Sequence, residues 1–219
     1  MQTHYILRMY KPAYTNPQEK QQIVDLISDY PFVTIISNDL EGQLSVSHIP
    51  VVTEFVNQEL KSITGHFAIR NPQVEHLKKN SSVTLIFQGP HTYITPLWYK
   101  SGRDVLPTWN YCVAHVHGEL KFDTSFESIC ANLKALTKKF EQGPNAWEFE
   151  LPDDLDNPEA LTSAIVAFTV IPNNIEAKFK LGQNRQLIDR QGVVEGLNSR
   201  TDDMSLAVQK LMQQGLSQK

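Results

Sequence analysis

Four short stretches of the sequence gather side chains able to hold an anion or a planar ring. The first is Ser45, Ser47 and His48, just ahead of Pro50. In a strand, alternation sets Ser45 and Ser47 on one face and His48 on the other. The hydroxyls can then meet a ring edge or a phosphate, although the same residues suit an ordinary half-exposed strand. The second is Gly65-His66-Phe67-Ala68-Ile69-Arg70-Asn71-Pro72. A strand ending at Arg70 and a helix starting at Asn71 would bring free backbone N–H groups and a guanidinium to one place. That combination suits a phosphate monoester, because a helix N-terminus favours an anion and arginine binds it through two parallel donors. A capped helix beside a surface arginine is the plainer reading, and His66 either joins the site or sits as a satisfied core histidine.

The third stretch runs from Phe87-Gln88-Gly89-Pro90-His91 through Tyr93 and Trp98-Tyr99, and continues at Pro107-Thr108-Trp109-Asn110-Tyr111. Aromatic walls with a few placed polar groups hold planar heterocycles, and aromatic strands also build dimer contacts. Both uses outweigh plain packing here. The fourth is Glu176-Ala177-Lys178-Phe179-Lys180-Leu181-Gly182-Gln183-Asn184-Arg185. If extended, it puts Lys178 and Lys180 on one face as a cationic strip. A solvated charge run is the alternative, and the neighbouring Gln183, Asn184 and Arg185 favour binding.

Other chemistries find little support. His115 and His117 share a strand face, with His91 as a possible neighbour, but no carboxylate or cysteine completes a familiar zinc set, so no metal is expected. A G-x-S-x-G elbow is missing. Gly182 and Gly192 stand singly, so neither a P-loop nor a dinucleotide-binding turn is available.

The elements that must position these groups follow from local signals. Asn16-Pro17 with Glu19 reads as a helix start, and Pro31 as its end. Phe32–Ser37, Leu44–Ser47 leading into Ile49–Val52, and Ile63–Ile69 read as strands. Asn71-Pro72 opens a short helix that ends near Asn80. Val83–Phe87 and Tyr93–Tyr99 read as two strands with a turn at Gly89-Pro90, and Trp109–Leu120 as the sixth strand. Asp123 is expected to cap a helix carrying Phe126, Ile129, Leu133, Leu136 and Phe140 on one face. Pro144, Pro152 and Pro158 mark an acidic, irregular connection, and Ile165–Ile171 returns to strand composition. The result is a mainly β (α+β) class: a six-stranded antiparallel barrel over 30–121 and 165–182, a helical insert over 123–163, and a helical tail over 186–216. No linker divides these parts, so 1–219 reads as one domain.

Composition narrows the class further. The net charge of −4 argues against a free-standing DNA-reading domain, which normally carries a basic face. Two cysteines, Cys112 and Cys130, form no paired motif and suit a reducing compartment as small apolar residues. Residues Met1 to Tyr14 carry no apolar run of a secretory signal, and no stretch reaches the roughly 18 apolar residues of a membrane span. A cytoplasmic location without membrane attachment is expected.

The same clusters carry a resemblance. Ser47-His48-Ile49-Pro50, Gly65-His66 through Asn71-Pro72, Phe87–His91, Pro107–Tyr111, and Lys178-Phe179-Lys180 with Gln183-Asn184-Arg185 resemble the signature blocks of PaiB-type FMN-binding negative transcriptional regulators. Supporting blocks are His117-Gly118, Leu136-Thr137, Phe140-Glu141 and Gly192–Leu197, in matching order from about Tyr5 to Leu197. Gly182 departs from the pattern, which has a small hydroxyl residue there. The resemblance implies an FMN-binding split barrel, related to pyridoxamine-phosphate oxidases and flavin reductases, with flavin at the two-fold contact of a homodimer. It implies cofactor contacts from Ser47, His48, His66, Arg70, Asn71, Gln88, Trp109, Lys178, Lys180, Gln183 and Arg185. Three functions are open on it: a flavin-binding regulator or sensor, which leads; a flavin-dependent oxidoreductase on a small substrate; and a flavin-free interaction or haem-binding barrel.

Overall fold

The computed structural model describes residues 9–102, 106–151, 157, 160 and 162–217. The start of the resemblance at Tyr5, part of the segment Met1 to Tyr14 read for a secretory signal, and Pro152 and Pro158 lie outside the described residues. One sheet carries seven strands: β1 (Phe32–Asn38), β2 (Leu44–Pro50), β3 (Val52–Val56), β4 (Glu59–Ala68), β5 (Ser82–Ile94), β6 (Thr108–Asp123) and β7 (Ile165–Lys180). Their order is β2-β1-β5-β6-β7-β4-β3. The β1–β2, β1–β5, β3–β4 and β4–β7 ladders are antiparallel. Five helices accompany the sheet among the described residues: α1 (Lys20–Asp29), α2 (Pro72–Lys79), α3 (Phe126–Phe140), α4 (Leu187–Leu197) and α5 (Asp203–Ser217).

The sheet thus has seven strands where six were expected, and its boundaries differ for physical reasons. Gly89-Pro90 does not turn the chain, because Ser82–Ile94 is a single strand. The glycine is there for close approach: a Cβ on it would lie 2.2 Å from Leu26 Cδ1. The apolar run from Ile49 divides at Val51, and β3 begins beyond it. Asn57 and Gln58, at φ 51° and 62°, make the tight turn that returns β3 into β4, as the twist of a hairpin favours. The strand anticipated over Ile165–Ile171 runs on through Pro172 to Lys180.

Helix starts differ too. Asn16 closes a 3-10 turn over Ala13–Thr15, and α1 begins only at Lys20. Ser125, not Asp123, caps α3, accepting from the Ser128 backbone N–H. Asp123 sits two positions outside, accepting from the Ser128 hydroxyl and from the Ser125 N–H and hydroxyl. Those bonds, the Ser128 one foremost, hold its carboxyl at about 2.

The chain divides into two compact units. One combines Ile27–Phe87 with His115–Ile175. Its core includes the fully buried Phe67 and Phe168, whose rings stand 5.2 Å apart. Gly65 lies against them, and a Cβ on it would come 2.6 Å from the Phe168 ring. Cys130 belongs to this unit and is half-buried, while Cys112, in the other, is buried.

The second unit combines Met1–Leu26, Gln88–Ala114 and Glu176–Lys219. Here α4 and α5 pair through Gln209, which donates to the Val194 carbonyl and to Asn198 Oδ1 at 2.7 Å each. The segment after β5 is pressed on α4. A Cβ on Gly192 would lie 2.2 Å from the Trp98 carbonyl, and one on Gly196 2.3 Å from the Trp98 ring. Asp189 fixes the same segment, accepting from the backbone N–H groups of Lys100 (2.9 Å) and Ser101 (2.8 Å) and from the Ser101 hydroxyl (2.6 Å).

The Ser101 hydroxyl, then its N–H, hold the Asp189 carboxyl below the usual carboxylate range. A lowered folded pKa contributes stability that is complete above the unfolded value of about 4 and is lost as pH falls through the folded one. Asp189→Ala should therefore cost about 1.5–3 kcal/mol near pH 7, the usual size for hydrogen bonds to a charged group. The gap from wild type should narrow near pH 3. Urea midpoints at the two pH values measure this, and an equal gap at both would show that the charge contributes nothing.

Candidate functional site

In the first unit, a polar cradle forms where β4 gives way to α2. Asn71 organises it because it is a local cap: its Oδ1 accepts from the Gln73 N–H at 3.0 Å, while its Nδ2 donates to Ser47 Oγ at 2.9 Å. The Ser47 oxygen is thereby engaged as acceptor, and its own proton is left to donate to a ligand. Pro72 at the first helical position has no N–H, and the Val74 N–H bonds the Asn71 carbonyl. The free backbone donors expected at this helix start are thus largely taken. Arg70 is exposed. The ion pairs among the described residues join Lys61 to Glu59, Lys78 to Glu75 and Lys100 to Glu195, so Arg70 has no carboxylate partner among them.

Around this cradle the polar side chains are tied to one another. Ser45 Oγ meets His76 Nδ1 at 2.9 Å. Gln73, 2% exposed, donates to Ser37 Oγ and the Ser45 carbonyl, which leaves its Oε1 buried without a partner. His66 Nδ1 lies 2.8 Å from Asn132 Oδ1, so a proton on Nδ1 leaves Nε2 as the second ring nitrogen for other chemistry. Asn132, on α3, escaped the sequence reading because it stands 66 positions from its partner and no local pattern links the two. His48 is exposed on the opposite face of β2 from Ser47, its ring 6.2 Å from that of Phe32.

The second unit holds the other expected residues. Gln88 is exposed on β5. Trp109 is 52% exposed, with its ring near those of His91 (5.9 Å) and Tyr93 (6.3 Å). Lys178 is buried; its ammonium donates to the Tyr10 carbonyl at 2.9 Å and rests over the Tyr10 and Tyr111 rings at 5.4 and 5.3 Å. Tyr10 was not anticipated, being 168 positions away. Lys180 donates to Thr108 Oγ1 and the Trp109 carbonyl and lies 6.0 Å from the Tyr111 ring. Burial, then the charges of Lys178 and Arg185, push its pKa down. Arg185 stacks 5.1 Å over the Tyr99 ring. Gln183 is turned inward: its amide bonds the Leu181 N–H and the Phe179 carbonyl. Gly182, at φ 75°, adopts a left-handed turn that glycine takes without strain, which accounts for this residue where the family pattern has a hydroxyl.

Arg70, which forms no ion pair among the described residues, directly precedes the Asn71 that holds Ser47, and a guanidinium together with a serine hydroxyl is a donor set suited to a phosphate monoester. Comparison with known proteins agrees in kind. Residues 9–172 match the family described as "Putative FMN-binding domain". The chain is 29% identical over 211 residues to the protease synthase and sporulation protein PAI 2 of Bacillus subtilis, covering 95% of this chain and 98% of that one. It is 26% identical over 217 residues to an uncharacterized protein of Aspergillus fumigatus, covering 78% and 82%. Among solved structures, the FAD and haem binding protein of Mycobacterium smegmatis superposes with a TM-score of 0.55 at 17% identity, over 76% of this chain and 73% of that one. At that identity the likeness speaks to the fold, which is the split barrel.

Proposed function

Because the chain belongs to the family of FMN-binding domains, we propose that it is a flavin-dependent sensor acting as a negative regulator of transcription, with the FMN phosphate held by Arg70 and Ser47. What supports the phosphate placement is that Arg70, exposed and without an ion pair among the described residues, directly precedes Asn71, whose side chain engages the oxygen of the Ser47 hydroxyl. FMN, when bound, supplies a ring that takes up one or two electrons. The protein's own groups bind and orient: Arg70 neutralises the phosphate, Ser47 donates to it, Asn71 fixes Ser47, and Asn132 sets the orientation of His66. Lys178, Lys180, Gln183 and Arg185, which the resemblance also gives as cofactor contacts, are not needed for the phosphate in this placement.

Regulation is proposed to act through a homodimer rather than through direct reading of DNA. Supporting this are the net charge of −4 and the exposed apolar side chains Tyr93, Leu97 and Trp109, 39%, 76% and 52% exposed. A two-fold contact would bury the same patch on both copies. No helix among the described residues is long and apolar enough to cross a membrane.

The test is one purification with two readings. An absorption spectrum with and without added FMN should show a bound flavin with a shifted, structured visible band, and light scattering at micromolar concentration should give a dimer mass. A colourless protein that leaves the spectrum of added FMN unchanged sinks the flavin reading, and a monomer mass sinks the dimer. Steady oxidation of a reduced nicotinamide would replace the sensor by an oxidoreductase.

A further inference from the structure

Three cations of the second unit stand together. Lys178, Lys180 and Arg185 come from the end of β7 and the turn that follows, and among the described residues none of them takes part in an ion pair. Lys178 is 8% exposed, and a buried ammonium normally has a carboxylate partner or gives up its proton. Here one of its three N–H donors goes to the Tyr10 carbonyl, and two tyrosine rings supply the remaining stabilisation. Two acids lie nearby, and both are engaged. Glu176 accepts from the Met9 N–H. Asp189 attracts Arg185 but has its oxygens filled by Lys100 and Ser101.

The rings around the cluster are occupied as well. Tyr10 and Tyr111 carry lysine ammoniums, and Tyr99 carries Arg185. A ligand here is therefore recognised by charge and hydrogen bonding rather than by stacking. After the attraction of Asp189 for Arg185, the excess charge suits a dianion. With the flavin phosphate placed, as proposed above, at Arg70 and Ser47, these three cations are left for another anion.

We infer that Lys178, Lys180 and Arg185 form a second anion site, separate from that of FMN, which takes the phosphoryl dianion of a small phosphate monoester or of inorganic phosphate. The inference rests on the placement of the FMN phosphate at Arg70, and it makes the phosphoryl compound the sensor's second input. Lys180 and Arg185 are its adjustable groups, being only partly buried, while Lys178 is the fixed charge beneath them.

The test is calorimetric titration of the FMN-saturated full-length chain with inorganic phosphate and, separately, with glycerol phosphate. Saturable binding of at least one is expected, and the tighter of the two identifies the source of the phosphoryl group. Lys180→Met and Arg185→Gln should each weaken it by about tenfold or more, the scale of one charge-assisted contact, with FMN affinity within about twofold of wild type. Circular dichroism checks that both variants fold. No saturable heat on the FMN-saturated protein overturns the inference. So does a parallel loss of FMN in the two variants, which would assign the cluster to the flavin. Should the chain bind no FMN at all, the flavin reading fails separately, and the same phosphate titration of that protein still decides this site.

Discussion

Arg70→Ala should lower FMN affinity by about 10- to 100-fold, as expected for loss of a charge-assisted contact of roughly 1.5–3 kcal/mol, and should leave riboflavin affinity nearly unchanged. The two ligands differ only in the phosphate, so their ratio isolates the contact from any general damage. Because Arg70 is exposed, solvent screening favours the lower half of that range. Arg70→Lys keeps the charge but loses the planar pair of donors, and should fall between wild type and alanine. Asn71→Ala is a different kind of change. It removes the cap of α2 together with the bond that fixes Ser47, so it should also lower stability, by about 1 kcal/mol. Equal losses of FMN and riboflavin in Arg70→Ala would show that the residue supports the fold or the ring pocket, and the phosphate would have to be placed elsewhere.

The largest effect on stability is expected at the contact of Gly65 with Phe168. Phe168 is 2% exposed, and Phe168→Ala should cost about 3–5 kcal/mol, since transfer and cavity terms add. Gly65→Ala forces a methyl to within 2.6 Å of the same ring, an overpacking worth about 1–3 kcal/mol. The double variant should be less destabilised than the sum, by on the order of 1 kcal/mol, because the alanine at 168 vacates the space that the methyl needs. It should not recover fully, since the Pro50 carbonyl would still lie 3.3 Å from the new Cβ. Urea unfolding of the four proteins supplies the cycle. Strict additivity would mean that the Pro50 carbonyl, rather than the ring, forbids a side chain at 65.

These two sites illustrate what the amino-acid order reveals and what it hides. The start of α2 was legible because everything that makes it is adjacent: Asn71 as cap, Pro72 at the first position, and Gln73 as the N–H that is capped. The strand β1 was legible for the same reason, as one short β-branched and apolar run, and its burial alternates in the structure. Gly89-Pro90 misled because glycine serves two purposes. It permits turns, but it also admits a neighbour, here Leu26 and Cys112, and only the assembled chain tells which. Asp123 and Ser125 compete as caps within three residues, and the hydroxyl lies in register with the Ser128 N–H while the carboxylate reaches around it. The partners of His66 and Lys178 were hidden for a simpler reason. Asn132 and Tyr10 are brought in from far along the chain, and nothing in either residue's own surroundings advertises the meeting.

The seating of Trp98 gives the C-terminal helices an optical reporter. The apolar residues of α4 are spread around its circumference rather than gathered in one stripe, so its docking leans on the bare tracks of Gly192 and Gly196 under Trp98, with the Arg200 guanidinium 5.7 Å from the ring. The other two tryptophans, Trp109 and Trp147, are 52% and 59% exposed. Replacing both with phenylalanine leaves a single indole whose emission wavelength and quenching follow the contact between α4 and the segment after β5. Any ligand that loosens or tightens the helical tail would then be read directly as a change in colour of fluorescence, without a label.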